Sequence, residues 1–138
     1  MDNLKINKLS YTIENVEIKN PDEEIGEKYT AFFYAIDGEK IKWPEDEYNP
    51  IDAWDVLDEQ AEKQKLVILF HCLCGIWECS SIVANVQEIE NNIIKWTIKE
   101  YRSGLQIGTY FFNKTEYEET MNKIKQEALK IIEECDYN

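Results

Sequence analysis

Three of the four cysteines and the only histidine of the chain fall between His71 and Cys79, in the run Phe70-His71-Cys72-Leu73-Cys74-Gly75-Ile76-Trp77-Glu78-Cys79. Thiolate and imidazole are the donors zinc prefers, and zinc takes four of them at the corners of a tetrahedron. Cys72, Cys74 and Cys79, joined by His71 or by Cys135, would make such a set. Strand geometry argues against His71. Successive side chains point to opposite faces, so Cys72 and Cys74 share one face while His71 and Leu73 take the other. Cys135 falls on the apolar stripe of a C-terminal helix, and it reaches the cysteine face if that helix packs there. The spacing also departs from the paired knuckles of common zinc modules.

Thiol redox chemistry would need an accessible, low-pKa thiolate beside a helix N-terminus or a cation. Here Glu78 would raise a neighbouring thiol instead, and no C-x-x-C opens a helix. A Cys72–Cys74 disulfide would close a small ring at odds with extended backbone. The plain alternative is burial, because free cysteine packs as a small hydrophobe. Cys72 and Cys74 would then sit under the C-terminal helix, with Gly75 in a tight turn and His71 a hydrogen-bonded sheet-face residue. The sequence therefore predicts no cofactor, with zinc at Cys72, Cys74 and Cys79 as the alternative.

Other catalytic constellations are poor. A Ser/His/Asp or Cys/His mechanism would have to use His71, whose sequence neighbours point away from it. There is no P-loop, no G-x-G-x-x-G, no H-E-x-x-H and no calcium-loop spacing. The reading is non-enzymatic.

Charge carries the second signal. The chain holds 15 Lys+Arg against 28 Asp+Glu, a net charge of −13. Such a surface repels nucleic acid and anionic membrane and draws in basic partners. The acids concentrate from Pro44 to Glu62, where Glu45, Asp46, Glu47, Asp52, Asp55, Asp58, Glu59 and Glu62 meet no lysine or arginine. Trp43, Tyr48 and Trp54 are interleaved with them. Carboxylates that steer and aromatics that anchor suit a basic protein partner, with Trp43, Asp55, Asp58, Glu59 and Glu62 as the contact residues. A solvated helix face with Trp54 in the core is the bland counterpart.

The elements that hold these residues follow from periodicity. Leu9, Tyr11 and Ile13 alternate with polar residues, and the phase slips at Glu14-Asn15 as a β-bulge would make it. Asn20 to Gly26 reads as a charged loop. Tyr29 to Ile36 is apolar on both faces, as in a central strand, and Asp37-Gly38 is a two-residue hairpin turn into Glu39-Lys40-Ile41-Lys42-Trp43. Asn49 as cap and Pro50 as first residue start one acidic helix, whose apolar side is Ala53, Trp54, Val56, Leu57 and Ala61. Leu66 to Cys74 is a core strand. Ile82, Ala84 and Val86 face Ile94, Trp96 and Ile98 across a turn at Glu90-Asn91-Asn92. Arg102-Ser103-Gly104 turns into a strand from Ile107 to Phe112. Thr115-Glu116-Tyr117-Glu118 has capping-box spacing and opens a long helix with the stripe Tyr117, Met121, Ile124, Ala128, Ile131 and Cys135.

Tight turns favour antiparallel neighbours, so the fold class is α+β. The expectation is a mainly antiparallel sheet of about six strands, one short acidic helix and a long C-terminal helix packed on one face. A chain of 138 residues without linker or repeat fits a single domain over 1–138. Four cysteines make no disulfide framework, and no apolar stretch approaches a leader or a membrane span, so the expected location is cytoplasmic. No particular oligomeric state is implied.

The run Cys72-Leu73-Cys74-Gly75-Ile76-Trp77-Glu78-Cys79, followed by a strand and Ile94-Lys95-Trp96, resembles a loosely defined group of small uncharacterised bacterial proteins. These carry a C-x-C-G-x-x-x-C turn and a tryptophan-bearing hairpin. Size, acidity and α+β pattern are similar in general character to immunity proteins of bacterial polymorphic-toxin systems. That resemblance implies an inhibitor of a basic toxin.

Overall fold

Positive φ at two successive residues is the requirement of a type I′ hairpin turn, and Asp37-Gly38 is a dipeptide that accepts it. The computed structural model, which describes residues 5–18, 27–42, 47–74 and 76–135, has Asp37 at φ 54° and Gly38 at 84°. The turn joins β2 (Glu27–Ile36) to β3 (Glu39–Lys40) with Ile36 opposite Glu39. The Asp37 carboxylate also accepts from Asn7 Nδ2 at 2.7 Å and from the Lys8 backbone N–H at 2.8 Å, which ties down the residues before β1 (Leu9–Ile18). These donors hold the Asp37 carboxyl below its ordinary range. An added Cβ at Gly38 would meet nothing within 4 Å, so Gly38→Val tests backbone strain alone. It should lower unfolding stability by about 1–2 kcal/mol, read from the urea midpoint.

The remaining elements follow in chain order: β4 (Tyr48–Pro50), α1 (Ala53–Val56), α2 (Glu59–Lys63), β5 (Leu66–Cys72), β6 (Ser81–Glu90), β7 (Ile93–Glu100), β8 (Gln106–Asn113) and α3 (Lys114–Cys135). The class is α+β, with every strand pair antiparallel. The strands exceed the expected number and divide into a three-stranded sheet, β1-β2-β3, and a five-stranded sheet, β4-β5-β6-β7-β8. Two single bridges stitch the sheets together, Phe32 to Ile51 and Asn7 to Phe112. One buried cluster draws Phe32 and Tyr34 from the first sheet, Phe70, Val83 and Trp96 from the second, and Tyr117, Ile124 and Ala128 from α3. The expected helical stripe is thus the packed face from Tyr117 to Ile131. No helix among the described residues is long and apolar enough to cross a membrane.

Local expectations shift in four places. The register of β1 on β2 runs unbroken from Leu9 to Ile18, so there is no bulge at Glu14-Asn15. Asn49 and Pro50 belong to β4, and Asp52 caps α1 because its carboxylate can take the Asp55 N–H. The acidic helix is two short ones, since Asp58 leaves helical geometry to cap α2. At α3 the cap is Asn113, whose Oδ1 accepts from Glu116 N–H at 3.1 Å, two residues before the Thr115 that opens the expected box. The charged loop expected over 20–26 lies outside the described residues.

A real bulge does lie in β5. Ile68 pairs with Val83 and Phe70 with Ile82, leaving Leu69 as the extra residue. The shift reverses the phase, so His71, opposite Ser81, shares its face with Leu66 and Ile68. Without it His71 would point to the other side of the sheet.

Candidate metal centre

β5 ends at Cys72, opposite Tyr48 of β4, and the chain turns through Leu73 and Cys74 before β6 begins at Ser81. The return is closed by the Cys79 N–H donating to the Ile76 carbonyl at 3.2 Å. Trp77 anchors the turn from below. It is 3% exposed and meets Tyr101 edge to face, with ring centroids 5.1 Å apart. Ser80 Oγ donates to the Tyr48 hydroxyl at 3.4 Å. Tryptophan burial thus pins the middle of a loop whose flanking Leu73 and Ile76 are left exposed.

This turn gathers three sulfurs. The Sγ atoms of Cys72, Cys74 and Cys79 all lie within 4.8 Å of one another, and Cys72 and Cys79 are 3.8 Å apart. It is the one convergence of potential ligand atoms found among the described residues. Burial of the cysteines does not hold, because Cys74 and Cys79 are exposed and Cys72 is only half-buried. The physical reason is that the strand stops at Cys72: past that point, alternation no longer dictates where Cys74 goes. The Ile76 backbone N–H and then the Cys72 thiol draw the Cys74 thiol below its ordinary value. Contact with Cys72 and Cys74 pushes Cys79 up. Sulfurs in mutual contact share protons, and a soft cation competes for the same lone pairs.

His71 takes no part in the trio. Its Nδ1 stands 2.6 Å from Asp55 Oδ2, with side chains only 8% and 10% exposed. Asp55 is itself held at the start of α1: the Asp52 N–H donates to Asp55 Oδ2 at 3.3 Å, and the Asp55 N–H donates to Asp52 Oδ1 at 3.0 Å. The expected satisfied histidine is therefore present, and it clamps α1 onto β5. Burial alone would lower the imidazole's pKa; the Asp55 carboxylate outweighs it, with Asp52 and Cys74 adding, so the net direction is up. Removing one partner strands the other, and Asp55→Ala should lower stability by about 3–5 kcal/mol in urea denaturation.

The sign of the pH effect follows. A raised histidine contributes stability that is complete below its unfolded pKa of 6.5 and is lost as pH rises through the folded value. Chelated protein should lose stability above about pH 6.5, and His71→Asn should flatten that slope. Equal slopes in both proteins would contradict the assignment.

The acidic contact residues are dispersed in role. Asp55 is spent on His71, and Asp58 caps α2 by accepting the Ala61 N–H at 2.9 Å. Glu59 and Glu62 are exposed, Glu62 lying 3.8 Å from Lys125 Nζ. Trp43 and Gly75 lie outside the described residues, as does the side chain of Cys135. Trp54, expected on the apolar side, is 54% exposed, because the break before Asp58 leaves α1 one turn long with only Ala53 fully buried.

Comparison with known protein families, curated proteins and solved structures finds no match.

Proposed function

We propose that this protein binds a thiophilic metal ion, zinc in the first instance, through Cys72, Cys74 and Cys79. One observation carries the reading: the three Sγ atoms lie within 4.8 Å of one another, with Cys72 and Cys79 at 3.8 Å. A tetrahedral zinc with Zn–S of about 2.3 Å spaces its sulfurs about 3.8 Å apart. The trio could close on the ion with little backbone movement. No fourth protein donor joins it among the described residues, which suits an exchangeable ion more than a closed structural site. Protein prepared without chelator and then titrated with zinc or cadmium should take up one equivalent, cadmium with sulfur-to-metal charge-transfer absorption. Less than about a tenth of an equivalent at saturation would end the proposal.

A second reading, docking of a basic protein as an immunity-like inhibitor would do, is favoured by Trp54. It stands 54% exposed on α1, with exposed Glu59 and Glu62 on α2. Partner capture should weaken with salt and with Trp54→Ala; indifference to both would remove it.

A further inference from the structure

A cavity of about 680 Å³ opens beside α2, between α3 and the end of the β5–β6 pair. That is the size of a small-molecule site. Leu66, Ile68, Ile94 and Met121 give it an apolar lining, and Tyr34 and Tyr117 add phenol rings. Its acidic rim is fed by four elements: Asp55 from α1, Asp58 and Glu62 from the cap and body of α2, Glu88 from β6, and Glu118 from α3. Among the lining residues Lys65 and Lys125 are the bases; Glu62 lies 3.8 Å from Lys125 Nζ, Glu88 pairs with Lys114 at 2.9 Å, Asp55 holds His71 and Asp58 caps α2, which leaves Glu118 as the rim carboxylate with no such role.

We infer that this cleft binds a small organic amine with an apolar or aromatic body, its ammonium held at Glu118. The inference does not depend on the metal reading. Three observations select the ligand class. The first is the excess of carboxylates over lysines, which rejects anions and leaves neutral ligands without use of the rim. Glu118 forms no salt bridge among the described residues. The second is that the carboxylates do not converge. Among the described residues no group of three acids meets the distance a shared metal ion requires, so a bare divalent cation is not what the rim is built for. A cation on an organic frame needs no such convergence.

The third observation lies at the inner wall. Tyr34 is 3% exposed and lines the cavity, and no hydrogen bond to its hydroxyl is found among the described residues. The Tyr34 oxygen is not among the fully buried unpartnered atoms of the described residues, which are Trp77 Nε1 and Ser81 Oγ, so it keeps accessible surface through which a ligand can bond to it. Tyr117 differs, since its hydroxyl accepts from Trp96 Nε1 at 3.0 Å. Electron-rich faces of tyrosine also favour a cation over an anion. An amine group or a second N–H of the ligand fits the Tyr34 oxygen, while the carbon body lies on Leu66, Ile68 and Met121.

The test uses the full chain held metal-free with chelator, so that failure of the cysteine site cannot disturb it. Phenylbutylamine, phenylbutyrate and phenylbutanol are titrated by calorimetry and by chemical-shift perturbation. The amine should bind one site, at least about tenfold tighter than the carboxylate or the alcohol. Glu118→Lys, at an exposed position, should weaken the amine by about tenfold, and Tyr34→Phe by about fivefold. Filling the cavity with Met121→Trp should abolish binding, with far-UV circular dichroism confirming the fold. Equal affinity for amine and carboxylate, or a Glu118→Lys effect below twofold, would overturn the inference. So would shifts scattered over the acidic surface, or binding of a basic peptide where none of the amines binds.

Discussion

Cys74→Ser should weaken zinc or cadmium binding by more than about 100-fold while leaving the metal-free protein's unfolding nearly unchanged. Loss of an outer-shell partner already lowers metal affinity by about 10–100-fold, and loss of a direct ligand must exceed that. The folded state should hardly notice, because Cys74 is exposed and supports no core contact. Serine keeps the volume and removes only the soft donor. Cys79→Ser, equally exposed, should behave alike. Binding must also release protons, since the ion needs thiolates, so affinity should rise with pH in the wild-type chain. Metal uptake that survives Cys74→Ser and Cys79→Ser together would show that any bound ion sits elsewhere, among the many carboxylates for instance.

Trp96→Ala should destabilise the fold by about 3–5 kcal/mol. Trp96 is fully buried and lies at the centre of an aromatic set drawn from both sheets and α3. Its ring stands edge to face with Tyr34 at 5.7 Å, Phe112 at 5.2 Å and Tyr117 at 6.0 Å. Truncation opens a large void, and Tyr117 loses the N–H that its hydroxyl accepts. Burial has pushed that phenol's pKa up to about 12, so it remains a neutral hydroxyl and the loss is one of hydrogen bonding. Against a total stability of about 5–15 kcal/mol, the change removes a large fraction. Trp96→Phe keeps most of the packing and should cost clearly less. The urea midpoint decides, and a loss below about 1 kcal/mol in Trp96→Ala would mean that the two sheets are not joined through this residue.

The Trp96 expectation depends on residues far apart in the chain and the cysteine one on how a short turn is folded, and only part of either was legible in the sequence. Trp96 was readable as an alternating strand residue, because Ile94, Trp96 and Ile98 interleave with lysine and threonine at period two. Its partners were not, since nothing in the local pattern says that Tyr34 and Tyr117 approach it. The cysteine turn was readable as a density of soft donors. Alternation correctly separated His71 from Cys72, but it was carried past Cys72, where the strand has already ended. The buried Trp77 that pins the turn was the available signal.

What the sequence determined by itself is therefore the set of elements built on local rules. The Asp37-Gly38 turn follows from which residues tolerate positive φ. The β6–β7 hairpin follows from alternation, and the α3 stripe from helical periodicity. The antiparallel α+β class follows from turns too short for crossovers. Tertiary structure decided the rest. It divided the strands between two sheets and broke the acidic helix at Asp58. It set the bulge at Leu69 that turns His71 onto Asp55, and it brought Cys72, Cys74 and Cys79 together. The physical reason is one of range. Propensity and periodicity act over a few residues, whereas a bulge, a capped break or a gathered set of thiols is chosen by the packing of neighbours that the local sequence does not name.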